Sequence, residues 1–229
     1  MAHLAHYREA HPLPFVVTHW VNLISMVLLI LTGFSIHYPF VPGFMAICRG
    51  LHLFCAFVLV LNCITRIVLS FFVKSAPTEG TREEVTDIKT WLPQADNRHQ
   101  LGAWLKFYFF VKKDFPLSAK LSGLQKGSYI AIAVLIFVMA YTGFSLWSVT
   151  MEAPFFAAGV NLVGGIMNMR VIHYFLMYAF ICFMMLHIYL ANVEGFDQTK
   201  LIFLRKEEGG LVYDPARHTI VGEDDLHDK

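Results

Sequence analysis

Apolar residues in this chain run in long blocks, not in the alternation of a half-buried strand or the one-sided stripe of a surface helix. Four blocks, residues 14–37, 50–72, 127–147 and 170–193, are long enough to cross the hydrocarbon core of a bilayer, which takes about 20 apolar residues. Each is followed by residues that stop a helix: Pro39 and Pro42, then Lys74 and Pro77, then Pro154, then Glu194-Gly195. The first block lacks the short apolar stretch and small-residue cleavage site of a signal peptide, so it reads as a retained anchor. The pattern predicts an all-α fold: an integral membrane four-helix bundle with a long cytoplasmic segment between the second and third helices.

Composition supports the membrane class. The chain of 229 residues is 56% apolar and 15% charged, whereas an average soluble domain has about a quarter of its residues charged. A net charge of +1 gives no reason to expect a nucleic-acid partner; in a membrane chain the placement of charge matters more than its sum. Lys74, Arg82, Lys89, Arg98, Lys106, Lys112, Lys113, Lys120 and Lys126 lie between the second and third blocks, and Lys200, Arg205, Lys206, Arg217 and Lys229 follow the fourth. The two opposite loops hold only Arg49 and Arg170. Both termini and the middle segment are therefore expected on the cytoplasmic side.

Residues 75–126 are mixed in charge up to Arg98, after which residues 104–113 interleave aromatic and basic side chains. That stretch reads as an amphipathic piece in the lipid headgroup layer, with docking of a partner subunit as the alternative. Residues 1–195 are expected to form one domain and residues 196–229 a polar cytoplasmic tail. Cys48, Cys55, Cys63 and Cys182 form no C-x-x-C or C-x-x-C-H pattern, which argues against iron–sulfur clusters and covalent haem. Spacings of seven and eight put the first three on roughly one helix face, as small packing residues.

Imidazoles inside a membrane are costly to bury and are functional candidates by default. Four lie well inside the blocks, His19, His52, His173 and His187, while His37 ends the first. His173 and His187 are 14 residues apart, which returns them to within about 40° of one face and separates them by about 21 Å along the axis. Counting from the helix ends pairs His19 with His187 near the cytoplasmic side, and His52 with His173 near the outer side. Two imidazoles on one haem iron leave no open position and suit electron transfer. A zinc or copper site asks instead for clustered ligands at one depth. The expected cofactors are thus two b-type haems, stacked across the bilayer. Buried histidines paired only with backbone or water are the plainer alternative.

Gly33 lies 14 residues beyond His19, inside an echo between the first and third blocks, Thr32-Gly33-Phe34-Ser35 and Thr142-Gly143-Phe144-Ser145. It offers room for a macrocycle, and close helix packing accounts for it equally well. Arg66 and Arg170, at helix ends, are placed to meet haem propionates or to act as snorkelling anchors. His37 shares the face of His19 near the outer boundary and is an alternative ligand.

Thr18-His19-Trp20, Leu31-Thr32-Gly33, Arg49-Gly50-Leu51-His52, Thr65-Arg66-Ile67, Gly123-Leu124-Gln125-Lys126, Tyr141-Thr142-Gly143-Phe144, Arg170-Val171-Ile172-His173 and His187-Ile188-Tyr189-Leu190-Ala191 together resemble the b-type cytochrome (gamma) subunits of respiratory nickel–iron hydrogenases and periplasm-facing formate dehydrogenases. The resemblance covers nearly all of residues 13–195. It implies a multi-pass protein of a bacterial or archaeal cytoplasmic membrane. Its partners would be an iron–sulfur electron-transfer subunit and a catalytic subunit. Electrons from outside would reach the outer haem, cross to the inner haem and reduce menaquinone or ubiquinone. The chain would be the quinone-reducing subunit of a larger oxidoreductase, without catalysis of the primary substrate on its own. The resemblance places the quinone beside the inner haem, near His187 and the start of the third helix. Where the formate dehydrogenase branch has Asn-x-Gly-Gln-Lys, this chain has Ser122-Gly123-Leu124-Gln125-Lys126, keeping only Gln125 and Lys126. Phe144 and the Arg-Val-Ile-His motif resemble the hydrogenase branch, which is preferred by a small margin, whereas Leu124-Gln125-Lys126 leans toward a formate dehydrogenase or related molybdenum or tungsten oxidoreductase. Two other classes remain: a free-standing carrier of the cytochrome b561 kind, and a haem-free anchor or assembly protein.

Overall fold

The computed structural model describes residues 12–40, 42–75, 85–92, 101–112, 123–193, 196–204, 211–214 and 219–222. Its long helices are α1 (Leu13–His37), α2 (Met45–Phe72), α5 (Gly123–Leu146) and α7 (Ile166–Val193), and all four are long and apolar enough to cross a membrane. Between α2 and α5 lie β1 (Lys74–Ser75), β2 (Val85–Thr86), α3 (Asp87–Trp91) and α4 (Leu101–Tyr108). A short helix, α6 (Pro154–Leu162), precedes α7, and α8 (Asp197–Leu204), β3 (Leu211–Asp214) and β4 (Thr219–Gly222) follow it. Strands β1 and β2 pair antiparallel, as do β3 and β4.

Three of the long helices begin four or five residues before the sequence boundaries. Helix α2 starts at Met45, α5 at Gly123 and α7 at Ile166, where the sequence pattern placed the starts at residues 50, 127 and 170. The sequence pattern puts Arg49 and Arg170 at the helix starts. One turn of helix can continue past such a residue, because its charged head reaches the headgroup layer while the stem stays on the helix.

Helix α6 was not anticipated, since Pro154 had been read only as a stop. It occupies the first turn of α6, where the missing N–H costs nothing and the fixed φ favours a helix. The chain turns from α6 into α7 through Gly164 and Gly165, at φ +83° and +121°, values that side chains bearing a Cβ rarely adopt. Asn168 Nδ2 donates to Val163 O across the turn at 2.8 Å.

The fold divides into two compact units: Thr18–Thr65 with Ala131–His187, and Met1–Val17 with Arg66–Ile130 and Ile188–Lys229. In the first, the interior is rich in small polar side chains, with Thr18, Ser25, Thr32, Thr142 and Ser145 buried, while Leu31, Phe54, Leu61, Phe175 and Met185 face outward. Lipid is as apolar as these outward residues, so helix association there rests on close packing and interhelical hydrogen bonds. Asn62 Nδ2 donates to Thr18 O at 2.7 Å and to Asn22 Oδ1 at 2.6 Å, joining α2 to α1. Phe57 packs on Phe144 with ring centroids 5.2 Å apart, joining α2 to α5.

In the second unit, Asp87 is fully buried at the start of α3. Its carboxylate accepts from Arg66 Nη2 at 3.0 Å, Ser75 Oγ at 2.8 Å and Trp91 Nε1 at 3.1 Å. Its N–H donates to Val73 O at 3.0 Å. The Arg66 guanidinium also lies 3.7 Å over the Phe15 ring, so the segment after α2 is tied to α1 and α2 by one charge-centred knot.

Candidate functional site

Three helices deliver four intramembrane histidines, α7 supplying two of them. The rings of His19 on α1 and His187 on α7 stand 6.2 Å apart, centroid to centroid. Those of His52 on α2 and His173 on α7 stand 6.3 Å apart. On α7 the two histidines are 14 residues apart, a helical rise of about 21 Å. Phe183, one turn before His187, stacks on its ring at 6.0 Å and 7°.

The His52 and His173 rings are held by matching devices from α1 and α5. Thr32 Oγ1 lies 2.9 Å from His52 Nδ1 and donates to Leu28 O at 2.7 Å. Thr142 Oγ1 lies 2.8 Å from His173 Nδ1 and donates to Met139 O at 2.9 Å. A hydroxyl has one proton to give. With that proton on a helix carbonyl, each threonine accepts from the imidazole Nδ1–H, which leaves the Nε2 lone pair as the ring's free donor to a metal. The glycine after each threonine lies against the ring, and of the two the fit is tight at Gly143. A Cβ at Gly33 would lie 3.5 Å from His52 Cε1, and one at Gly143 would lie 3.1 Å from His173 Cε1. At the other pair the arrangement differs: His19 Nδ1 is buried with no hydrogen-bond partner among the described residues.

The spacing can be compared with what one metal ion between two imidazoles requires. A metal–nitrogen bond of about 2.0–2.1 Å plus a ring radius of about 1.1 Å, doubled, puts the centroids about 6.2–6.4 Å apart. Both pairs have that separation. Among the described residues there is no group of three or more His, Cys, Asp or Glu side chains able to hold a bare ion. Two protein ligands per site are too few for zinc but suffice for an iron already held in a macrocycle.

The remaining candidates fall in several places. Gly33 packs against the His52 ring and Met177 Sδ. Arg170 is exposed, one turn before His173. Arg66 is engaged by Asp87, a partner that the sequence reading did not foresee, while its Nη1 is buried without a hydrogen-bond partner among the described residues. His37 stacks on Tyr174 at 3.9 Å and 12° and meets Tyr38 edge-on at 4.5 Å, within an aromatic cluster rather than beside another histidine. Gln125 is half-buried on the first turn of α5 and Lys126 is buried beside it, its Nζ donating to Leu92 O at 2.7 Å. Ser122 lies outside the described residues.

Sequence reasoning passed over Thr32 and Thr142 as functional residues, although it noted the repeated Thr-Gly-Phe-Ser that contains them. The repeat was the available signal: a hydroxyl one residue before a glycine, on two helices, opposite two histidines. Asp87 left no comparable trace, being one carboxylate among several in a mixed-charge segment.

The family model for prokaryotic cytochrome b561 matches residues 10–205. Comparison with curated proteins gives no match. The chain belongs to the prokaryotic cytochrome b561 family, and it is a multi-pass membrane electron carrier of the b-cytochrome class, for which haem b is the implied cofactor.

Proposed function

We propose that this family member is the membrane-anchoring dihaem cytochrome b subunit of a periplasm-facing nickel–iron hydrogenase, carrying electrons from the partner's iron–sulfur clusters to a membrane quinone. The observation that carries the dihaem reading is the pair of imidazole separations, 6.2 Å for His19 and His187 and 6.3 Å for His52 and His173. Each matches one bis-imidazole iron, and α7 contributes a ligand to both sites.

Bound haem would supply a one-electron iron couple suited to electron transfer. The protein's share of the chemistry is positioning and exclusion. His19 with His187 and His52 with His173 would hold the two irons, and Thr32 and Thr142 would fix the tautomer of the second pair. Gly143 gives the His173 ring its clearance, and the apolar helices keep water out. Arg66 and Arg170 are the residues we assign to haem propionates, and Arg66 has an Nη1 that Asp87 leaves without a partner among the described residues. For the quinone the family motif retains Gln125 and Lys126, on the first turn of α5. The positive-inside pattern of Lys and Arg puts both termini and the segment around α3 and α4 in the cytoplasm.

The test is purification of the complex from native membranes. Two haem b per chain by pyridine haemochrome, with an iron–sulfur subunit and a hydrogen-oxidising catalytic subunit in stoichiometric amounts, is the expected result. A catalytic subunit oxidising formate would move the chain to that branch. Recovery of the dihaem chain alone would favour the free-standing carrier that the family name also fits. A reduced-minus-oxidised spectrum without a b-type α band would refute the reading altogether.

A further inference from the structure

The two histidine pairs are built alike in spacing and unlike in what holds their second ring nitrogens. At His52 and His173 both Nδ1 atoms sit against a buried threonine hydroxyl, at 2.9 and 2.8 Å, and each hydroxyl is itself spent on a helix carbonyl, at 2.7 and 2.9 Å. Thr32 and Thr142 are nearly inaccessible to solvent, so no water competes for these contacts. At the other pair, His19 Nδ1 is buried without such an acceptor among the described residues.

An acceptor on Nδ1–H draws the proton away from the ring and raises the electron density that Nε2 offers a metal. A stronger donor favours the ferric over the ferrous state, because the oxidised iron carries the additional positive charge. Second-shell hydrogen bonding is one of the protein's levers on haem potential. Two such acceptors on one iron act in the same direction.

We propose that Thr32 and Thr142 are paired positioning residues that hold the His52 and His173 rings in one tautomer and lower the reduction potential of the haem bound between them. The inference rests on the dihaem reading above. It also gives the Thr-Gly repeat a purpose: threonine sets the ring's electronics, and at Gly143 the glycine sets its clearance. In the proposed electron path the His52–His173 haem is nearer the donor, and a lowered potential there favours onward transfer to the other haem.

The experiment is a potentiometric titration of the α band in membranes, comparing wild type with Thr32→Val, Thr142→Val and the double variant, and with Thr32→Ser and Thr142→Ser. His52→Ala identifies which of the two titrating components belongs to this pair. Valine keeps the size of threonine and removes the acceptor. The expected result is an upward shift of that one component in each valine variant, larger in the double, with the other component unmoved and the serine variants close to wild type. Loss of this haem in the valine variants but not in the serine variants would support the same positioning role. Retention of both haems with no shift, a shift of the other component, or equal damage from serine and valine would overturn the proposal. A wild type with no b-type α band would instead refute the haem reading on which it stands.

Discussion

Replacing Gly143 by alanine tests how tightly the His173 ring is confined. The new Cβ would lie 3.1 Å from His173 Cε1, about 0.4 Å inside the ordinary contact distance between carbon atoms. The ring cannot step aside freely, because its Nδ1 is held at 2.8 Å by Thr142 Oγ1, which is fixed in turn by Met139 O at 2.9 Å. Giving way by about 0.4 Å would stretch the Nδ1 contact to about 3.2 Å, the outer limit of a normal hydrogen bond. Overpacking of this kind costs about 1–3 kcal/mol, more than the helix-propensity gain of about 1 kcal/mol from removing a glycine. Gly33→Ala is the internal control, since its Cβ would meet His52 Cε1 at 3.5 Å and the flexible Met177 Sδ at 3.6 Å. Haem per protein by pyridine haemochrome, with thermal unfolding in detergent, should show partial loss of one haem and a lowered midpoint for Gly143→Ala. Gly33→Ala should stay near wild type. Equal behaviour of the two variants, or greater damage at Gly33, would refute the argument from clearance.

Single substitutions His19→Ala and His187→Ala should each abolish the same α-band component, and His52→Ala and His173→Ala the other, read by redox titration of membranes; loss of different components within a pair would show the assignment to be wrong. Asp87→Asn leaves the Arg66 guanidinium uncompensated beside a nearly inaccessible carboxylate position and should cost about 3 kcal/mol, seen as faster proteolysis of the segment after α2, while Ser75→Ala should cost about 1 kcal/mol. Asn62→Ala removes two interhelical hydrogen bonds, at 2.7 and 2.6 Å; a loss of about 1 kcal/mol in stability is expected, with a shift of the His19 haem because Thr18 is its chain neighbour. Proteoliposomes oxidising the donor with quinone should build a membrane potential, and turnover without one would place quinone reduction on the same side as donor oxidation.

Four spans and an all-helical class were legible because a segment surrounded by hydrocarbon must satisfy its backbone internally and show apolar residues over about 20 positions. That constraint is local, so it is written in consecutive residues. Helix starts were less legible: Arg49 and Arg170 marked polarity, while hydrogen bonding continued for a further turn toward the N-terminus. Helix α6 was hidden because Pro154 both stops one helix and opens another.

Depth followed from counting along each helix, and the sequence by itself thereby determined which histidines could share a level of the membrane. It could not determine the distance between rings on different helices, which depends on packing, nor the partners of Nδ1. Whether Thr32 faces His52 and Thr142 faces His173 depends on the rotation of α1 against α2 and of α5 against α7. Arg66 shows the same limit from the other direction, because its charge partner, Asp87, is 21 residues away in sequence. Residue type and depth were fixed along the chain, whereas ring clearance, tautomer and ion pairing arise between elements, where only the folded arrangement brings the atoms within reach.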